Sequence, residues 1–268
     1  MTRRMDRGRW TRGLVALIAL LLPAATAAAP QNEFRWTGQI AAGQTVEIRG
    51  VSGSIKAAPS ASGQIELVAT KQGRRSDPGE VKIETVPHAG GVTICAVYPT
   101  PPDADEPNRC APGDAARLGS RNNDVRVDFT IGIPKGVHLV ARTVNGSIDI
   151  RELDGRVDAA TVNGGVQFDT RAAGRAKTVN GSITGRLGRA DWTDTLEMET
   201  VNGSITLDLP ETIDADVEAK TVNGRITSDL PLTLKEMSRR SLKGTLGNGG
   251  RRLSLGTVNG SIALRRGA

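Results

Sequence analysis

The sequence predicts an all-β protein built as a parallel β-helix or solenoid, a stack of coils of about 20 residues each. Three observations carry that prediction. The hexapeptide Thr143-Val144-Asn145-Gly146-Ser147-Ile148 is rewritten as Thr161-Val162-Asn163-Gly164-Gly165-Val166, Thr178-Val179-Asn180-Gly181-Ser182-Ile183 and Thr200-Val201-Asn202-Gly203-Ser204-Ile205, then as Thr221-Val222-Asn223-Gly224-Arg225-Ile226 and Thr257-Val258-Asn259-Gly260-Ser261-Ile262. The copies start 18, 17, 22, 21 and 36 residues apart. Between them apolar and polar residues alternate at the period of strands, and almost nothing has the period of a helix.

An Asn-Gly pair between apolar arms has two physical readings. Both residues tolerate positive φ, so the pair suits the two-residue turn of an antiparallel hairpin, and a series of hairpins would give a β-meander or sandwich. In the other reading each pair turns a corner in one coil, and the coils stack in parallel about 4.8 Å apart. Stacking favours the second, because it lays Thr on Thr, Val on Val and Asn on Asn, and each copy then meets the same environment. Stacked Asn amides also hydrogen-bond along the stack. A meander needs identity only at its turns, yet Thr, Val and Ile repeat as well.

In chain order, residues 1–27 read as a signal peptide. Arg3, Arg4, Arg7, Arg9 and Arg12 precede an unbroken apolar run from Leu14 to Leu22, and Ala25-Thr26-Ala27 offers small residues for cleavage. The run is much shorter than the ~20 residues a membrane span needs. The segment holds five Arg and one Asp, so its removal takes the formal charge from +6 to +2. A near-neutral mature surface lacks the basic footprint of nucleic-acid binding. Residues 28–33 form a linker, and residues 34–268 one solenoid domain.

Phe34 to Ile40, Thr45 to Arg49, Gln64 to Ala69, Val81 to Val86 and Val92 to Tyr98 read as strands. Gly50-Val51-Ser52-Gly53-Ser54-Ile55 is an early copy with Ser in place of Asn, and Thr85 to Val92 resembles a copy with a lengthened turn. Residues 99–124, rich in Pro, Asp, Asn, Arg and Gly, read as a loop leaving the sheet. Cys95 and Cys110 are the only cysteines. An even count in an exported chain favours a disulfide, which staples this loop and contributes about 3 kcal/mol on the chain-entropy model.

From Val125 the strands become regular. Ser241-Leu242-Lys243-Gly244-Thr245-Leu246 reads as a degenerate copy dividing the longest gap, and Leu234 to Leu242 as the one place for a short helical turn. The recurrent hexapeptide, the Phe34-Arg35-Trp36 strand, Gly50 to Ile55 and the signal peptide together resemble the bacterial putative-adhesin family, domains of unknown function. The resemblance runs from about Phe34 to the C-terminus. It implies a right-handed β-helix-like fold at or near the cell surface and supplies no catalytic residues.

The functional expectation is an exported, non-catalytic, adhesin-like or structural module of the envelope or surface, without cofactor or metal. Its partner is a cell-envelope or surface component. The alternatives are a polysaccharide-active enzyme and a glycan-binding module. The best acid/base candidates are Asp169, Asp208 and Asp229, each eight residues after the Thr of its copy. Asp208 and Asp229 belong to successive copies and stack as neighbours if coils follow chain order, but Arg151 and Arg186 hold the same offset elsewhere. His88 and His138 have no metal-ligand neighbours, and alternation points His138 to solvent. Trp192, in the insertion 186–194, is the candidate exposed ring for a sugar face. Phe34 and Trp36 suit a cap on the open end. The last copy lies close to the C-terminus, which predicts end-to-end self-association through the C-terminal coil. The corners Asn145-Gly146, Asn163-Gly164, Asn180-Gly181, Asn202-Gly203, Asn223-Gly224 and Asn259-Gly260 are read as structural stacking elements.

Overall fold

In the computed structural model, each Thr-Val-Asn-Gly corner carries the chain from one sheet into another instead of turning it back within a sheet. Residues 32–188, 192 and 195–267 are described; the signal-peptide segment 1–27 and residues 28–31 of the linker lie outside them. The strands in chain order are β1 (Glu33–Gly38), β2 (Thr45–Arg49), β3 (Ile55–Pro59), β4 (Ile65–Gln72), β5 (Lys82–His88), β6 (Gly91–Val97) and β7 (Arg126–Ile133). Then come β8 (His138–Arg142), β9 (Ile148–Leu153), β10 (Val157–Ala160), β11 (Val166–Thr170), β12 (Gly174–Lys177), β13 (Ile183–Leu187) and β14 (Leu196–Asn202). The last are β15 (Ile205–Leu209), β16 (Ala215–Asn223), β17 (Ile226–Ser228), β18 (Thr233–Met237), β19 (Ser241–Leu246), β20 (Arg252–Asn259) and β21 (Ile262–Arg266). Among the described residues the only helical elements are single 3-10 turns at Pro78–Glu80 and Gly113–Ala115.

The strands form two long sheets. One is ordered β1-β4-β7-β3-β9-β11-β13-β15-β21-β17 and the other β18-β19-β16-β20-β14-β12-β10-β8-β2-β6-β5. A coil is one strand of the second sheet, a corner and one strand of the first, as in β8–β9. Successive coils pair in parallel and in register: Val166 lies beside Ile183, Ile183 beside Ile205, Ile205 beside Ile262 and Ile262 beside Ile226. Parallel pairing of equivalent residues is the solenoid arrangement, and it rules out Asn-Gly hairpins.

Alternation along most strands aims one side chain in two at the space between the sheets, which aliphatic residues fill; β6, buried throughout, and β18, exposed throughout, depart from it. Bare backbone makes room for the largest of them. A Cβ on Gly174 or Gly185 would sit 2.4 Å from the Phe168 ring, so those glycines define its slot. Phe34 and Trp36, on the edge strand β1, pack partly buried against the core, as a cap requires.

Coil order departs from chain order at both ends. The first coil, β2–β3, lies between β6–β7 and β8–β9, while the last, β20–β21, lies between β14–β15 and β16–β17. Antiparallel strands complete the ends: β4 and β1 on β7, β5 on β6, and β19 and β18 on β16. This overturns three expectations. Ser241 to Leu246 is the capping strand β19, not a corner. The stretch from Leu234 lies largely in the strands β18 and β19, with no helical turn. Thr85 to Val92 belongs to an antiparallel hairpin in one sheet. The C-terminal coil, through which the sequence predicts self-association, is flanked on both sides by other coils. Exposed edges are pairing templates, and here the sheet edges are β1, β17, β18 and β5 and not the strands of the first or last coil.

Candidate functional site

The corner hexapeptide builds three ladders down one side of the stack. The first is of threonine hydroxyls. Thr143, Thr161, Thr178, Thr200, Thr257 and Thr221 donate from Oγ1 to the carbonyls of Gly53, Gly146, Gly164, Gly181, Gly203 and Gly260, at 2.8–3.1 Å. Each Thr is buried, so the hydroxyl depends on a carbonyl of the adjacent coil; Thr161 also reaches the Val144 carbonyl of that coil at 3.4 Å. The second is of asparagine amides. Nδ2 of Asn163, Asn180, Asn202, Asn259 and Asn223 donates to Oδ1 of Asn145, Asn163, Asn180, Asn202 and Asn259, at 2.7–2.8 Å.

The third ladder is glycine backbone. None of the six full-copy glycines has positive φ, so turn conformation is not why glycine stands there. Close approach is. A Cβ on Gly146, Gly164, Gly181, Gly203, Gly260 or Gly224 would lie 1.9–2.1 Å from the carbonyl oxygen of the glycine one coil away. In the early copy Gly53 combines both demands, with φ +125 and a virtual Cβ 2.0 Å from the Val127 carbonyl oxygen.

Valine, the remaining repeated side chain, faces outward. Val144, Val162, Val179, Val201 and Val258 are 36–40% exposed and Val222 is 54% exposed. Coil stacking makes them one continuous apolar row beside the Asn ladder. Between this row and the charged outer face of the second sheet runs a groove of about 490 Å³. Val179, Val201 and Val258 form one wall, and Lys177, Glu199 and Lys220 the other. Gly256 lies in register between Glu199 and Lys220 and leaves a gap in that wall. A Cβ on Gly256 would meet nothing closer than Glu199 Cγ at 3.9 Å, so packing does not demand the gap.

The candidate carboxylates are not brought together. Asp169 pairs in register with Arg186, Arg186 with Asp208, and Asp208 with Arg265. Asp208 and Asp229 are separated because β20–β21 inserts between their coils. The row alternates in sign, and Arg186 approaches Asp169 to 3.4 Å. His138 is half-buried, and its Nδ1 accepts the Arg156 N–H at 3.0 Å. Burial first, then the Arg156 charge, push its pKa down. His88 Nε2 lies 3.3 Å from Thr93 Oγ1. Trp192 is the clearest reversal: it is 2% exposed, packs in the core, and donates from Nε1 to the Arg252 carbonyl at 3.2 Å. An indole offers a large apolar area as well as a donor, and here the core takes both.

The 99–124 loop replaces the corner of the β6–β7 coil. Tyr98 OH spans its two ends, donating to the Val125 carbonyl at 2.8 Å, and burial pushes that phenol up to about 12. Cys95 and Cys110 are disulfide-bonded with Cα atoms 5.6 Å apart. Asn108 pins the loop internally: Nδ2 donates to the carbonyls of Tyr98 and Gly119, and Oδ1 accepts the Gly119 N–H. The loop folds over Glu47, whose carboxylate accepts from Gly113 N–H, Thr93 Oγ1 and Arg49 Nε. Burial alone would raise the pKa of Glu47, but Gly113 and Arg49, then Thr93, outweigh it and hold the carboxyl below its ordinary value. Sequence reasoning missed this cluster, because alternation in Thr45-Val46-Glu47-Ile48-Arg49 marks Glu47 only as outward-facing.

No curated protein matches the chain. A putative cell adhesion protein from Clostridium sporogenes is similar in structure at a TM-score of 0.49 and 11% identity, over 87% of this chain and 99% of that one. A putative adhesin from Bacteroides fragilis aligns at a TM-score of 0.30 and 10% identity, over 88% and 98%. The family model described as Toastrack DUF4097 matches residues 37–265, from β1 through all the corner ladders to β21, and the chain belongs to that family.

Proposed function

We propose that the chain is an exported, non-catalytic, adhesin-like module of the cell envelope or surface, and that it engages an extended glycan along its corner edge. The observation that carries this reading is the exposed valine row beside the Asn ladder, opened by the groove at Gly256. Six valines at this exposure amount to a few hundred Å², on the order of the largest apolar patch of a soluble monomer. That is well under the ~800 Å² per partner of a standard protein interface, so a narrow, linear occupant fits better than a globular one. Each interior Asn spends one N–H and one lone pair on the ladder and keeps one of each for a ligand. Hydroxyls can use both, and the aliphatic row accommodates the C–H face of a sugar ring. One ring of an extended chain is about as long as one coil spacing of about 4.8 Å.

Export rests on the Arg-rich start, the apolar run and the Ala25-Thr26-Ala27 site. The strong preference of parallel crossovers supports a right hand for the coil, and the spacing of the copies supports a length of about 20 residues. Fractionation of cells producing the chain, with N-terminal sequencing of the product, tests export; cytoplasmic, uncleaved protein would overturn it. Co-sedimentation of residues 28–268 with purified envelope glycans tests binding. Gly256→Val, which fits open space and suits a strand, is expected to reduce binding at least about tenfold with Tm unchanged. Absence of wild-type binding to every glycan, or an indifferent variant, would overturn the assignment.

A further inference from the structure

The glycine N–H ladder has a direction and ends at Gly224, whereas the amide ladder ends both at Asn223 and at Asn145, whose Nδ2 has no partner among the described residues. In each interior copy the glycine N–H donates to the Asn carbonyl one coil further on: Gly146 to Asn163, Gly164 to Asn180, Gly181 to Asn202, Gly203 to Asn259 and Gly260 to Asn223, all at 3.0–3.1 Å. Gly224 comes last, and its N–H has no partner among the described residues. The Asn223 amide donates from Nδ2 to Asn259, while its Oδ1 accepts nothing among the described residues. Val222, beside it, is the most exposed of the six valines. Sheet pairing stops at β17.

Asn-Gly is the peptide most prone to lose its side-chain amide, because glycine leaves its backbone nitrogen unshielded. The reaction needs that nitrogen deprotonated and free to reach Cγ. A donated N–H bond, made by the glycine of each of the five other pairs, opposes the first requirement; an amide held on both sides opposes the second at Asn163, Asn180, Asn202 and Asn259, while Asn145 is held through Oδ1 alone. We propose that Asn223–Gly224 is a spontaneous deamidation site, and that the ladder protects the five other corner pairs. Gly224 N gives up its proton to a solvent base and attacks Asn223 Cγ. The Cγ–Nδ2 bond breaks, ammonia leaves with that proton, and a cyclic imide forms. Water then opens the imide at either carbonyl to give aspartate or isoaspartate; nothing is oxidised or reduced. The new carboxylate would confront Asn259 Oδ1, acceptor against acceptor, next to Arg225.

The test is peptide mapping by mass spectrometry of the mature chain incubated at mildly alkaline pH, folded and in denaturant. Folded protein is expected to convert Asn223 at least about tenfold faster than Asn145, Asn163, Asn180, Asn202 or Asn259, the value of one or more hydrogen bonds expressed as a rate. The seventh Asn-Gly pair is a control. Asn248 is exposed in a turn, but Gly249 N–H donates to the Leu246 carbonyl, and it is expected to lag Asn223. In denaturant the seven rates should converge. Asn223→Gln should remove the leading product and leave the others unchanged. Uniform conversion of the folded protein, or another pair leading, would overturn the proposal.

Discussion

The Thr178 hydroxyl donates to the Gly164 carbonyl at 2.8 Å, and that same carbonyl oxygen lies 2.0 Å from where a Cβ on Gly181 would be. One oxygen thus fixes two residues of the next coil: a buried threonine that must reach it, and a glycine that must leave it room. The pairing recurs at every full copy. That is why Thr and Gly repeat without exception while the residue after Gly varies among Ser, Gly and Arg.

Gly181→Ala should be the most damaging single-methyl change in the molecule. The clash is with backbone, which cannot move without separating two coils, so a loss of about 3 kcal/mol or more is expected. Asn180→Ala, which removes exposed amide bonds, should cost about 1 kcal/mol. Urea unfolding of both variants checks the ranking. Equal losses would mean that the coils are not held at this spacing.

Thr178→Val keeps shape but leaves the Gly164 carbonyl without its hydroxyl, at a cost of about 1–2 kcal/mol. Thr178→Ser, which restores the donor, should recover a measurable part of that. A Ser variant no better than Val would indicate that the methyl group, not the hydroxyl, matters at this corner.

Reducing the Cys95–Cys110 bond frees a 15-residue loop and should lower stability by about 3 kcal/mol on the chain-entropy model. Calorimetry with and without reductant measures the shift, and Cys110→Ala should abolish the difference. Because Gly113 donates to Glu47, the same treatment should raise the Glu47 pKa toward its ordinary value.

Acid should destabilise the first-coil end. Asp124 is held at about 2, against an ordinary 3.8, chiefly by the Ser76 N–H and then by Arg75. At Asp128 burial opposes the charge, but Arg126 and Ser54 outweigh it and the pKa is lowered. Depressed carboxyl pKa values give stability that is complete above the unfolded values and lost as pH falls through the folded ones. His138 adds to the same slope from its ordinary 6.5 downward, because the fold disfavours its protonation. Asp124→Asn should flatten the stability profile between 3.8 and about 2. An unchanged acid limb would show that Asp124 is not linked to folding.

Trp192→Ala should cost about 3–5 kcal/mol, as for other buried rings. In the wild type, acrylamide should quench Trp36 before Trp192. Preferential quenching of Trp192 would contradict its burial.

The sequence by itself determined the coil, its corner and the disulfide. Each is set by interactions that recur identically or lie close in the chain, so Thr, Asn and Gly repeat wherever a neighbouring coil imposes the same contacts. It also marked Gly50 to Ile55 as a true copy, which Gly53 confirms by accepting from Thr143. Coil order was not legible, because local alternation suits β19 and β20 equally well whichever strand lies alongside. Only the tertiary fold put β20–β21 between β14–β15 and β16–β17, and with it Arg265 between Asp208 and Asp229. Tertiary packing likewise decided which repeated side chains face water. Val144 and Ile148 look equally apolar in sequence, but the corner turns one outward and the next strand turns the other into the core. Trp192 went against expectation and Glu47 went unmarked for the same reason: what covers a residue comes from elements remote in the chain.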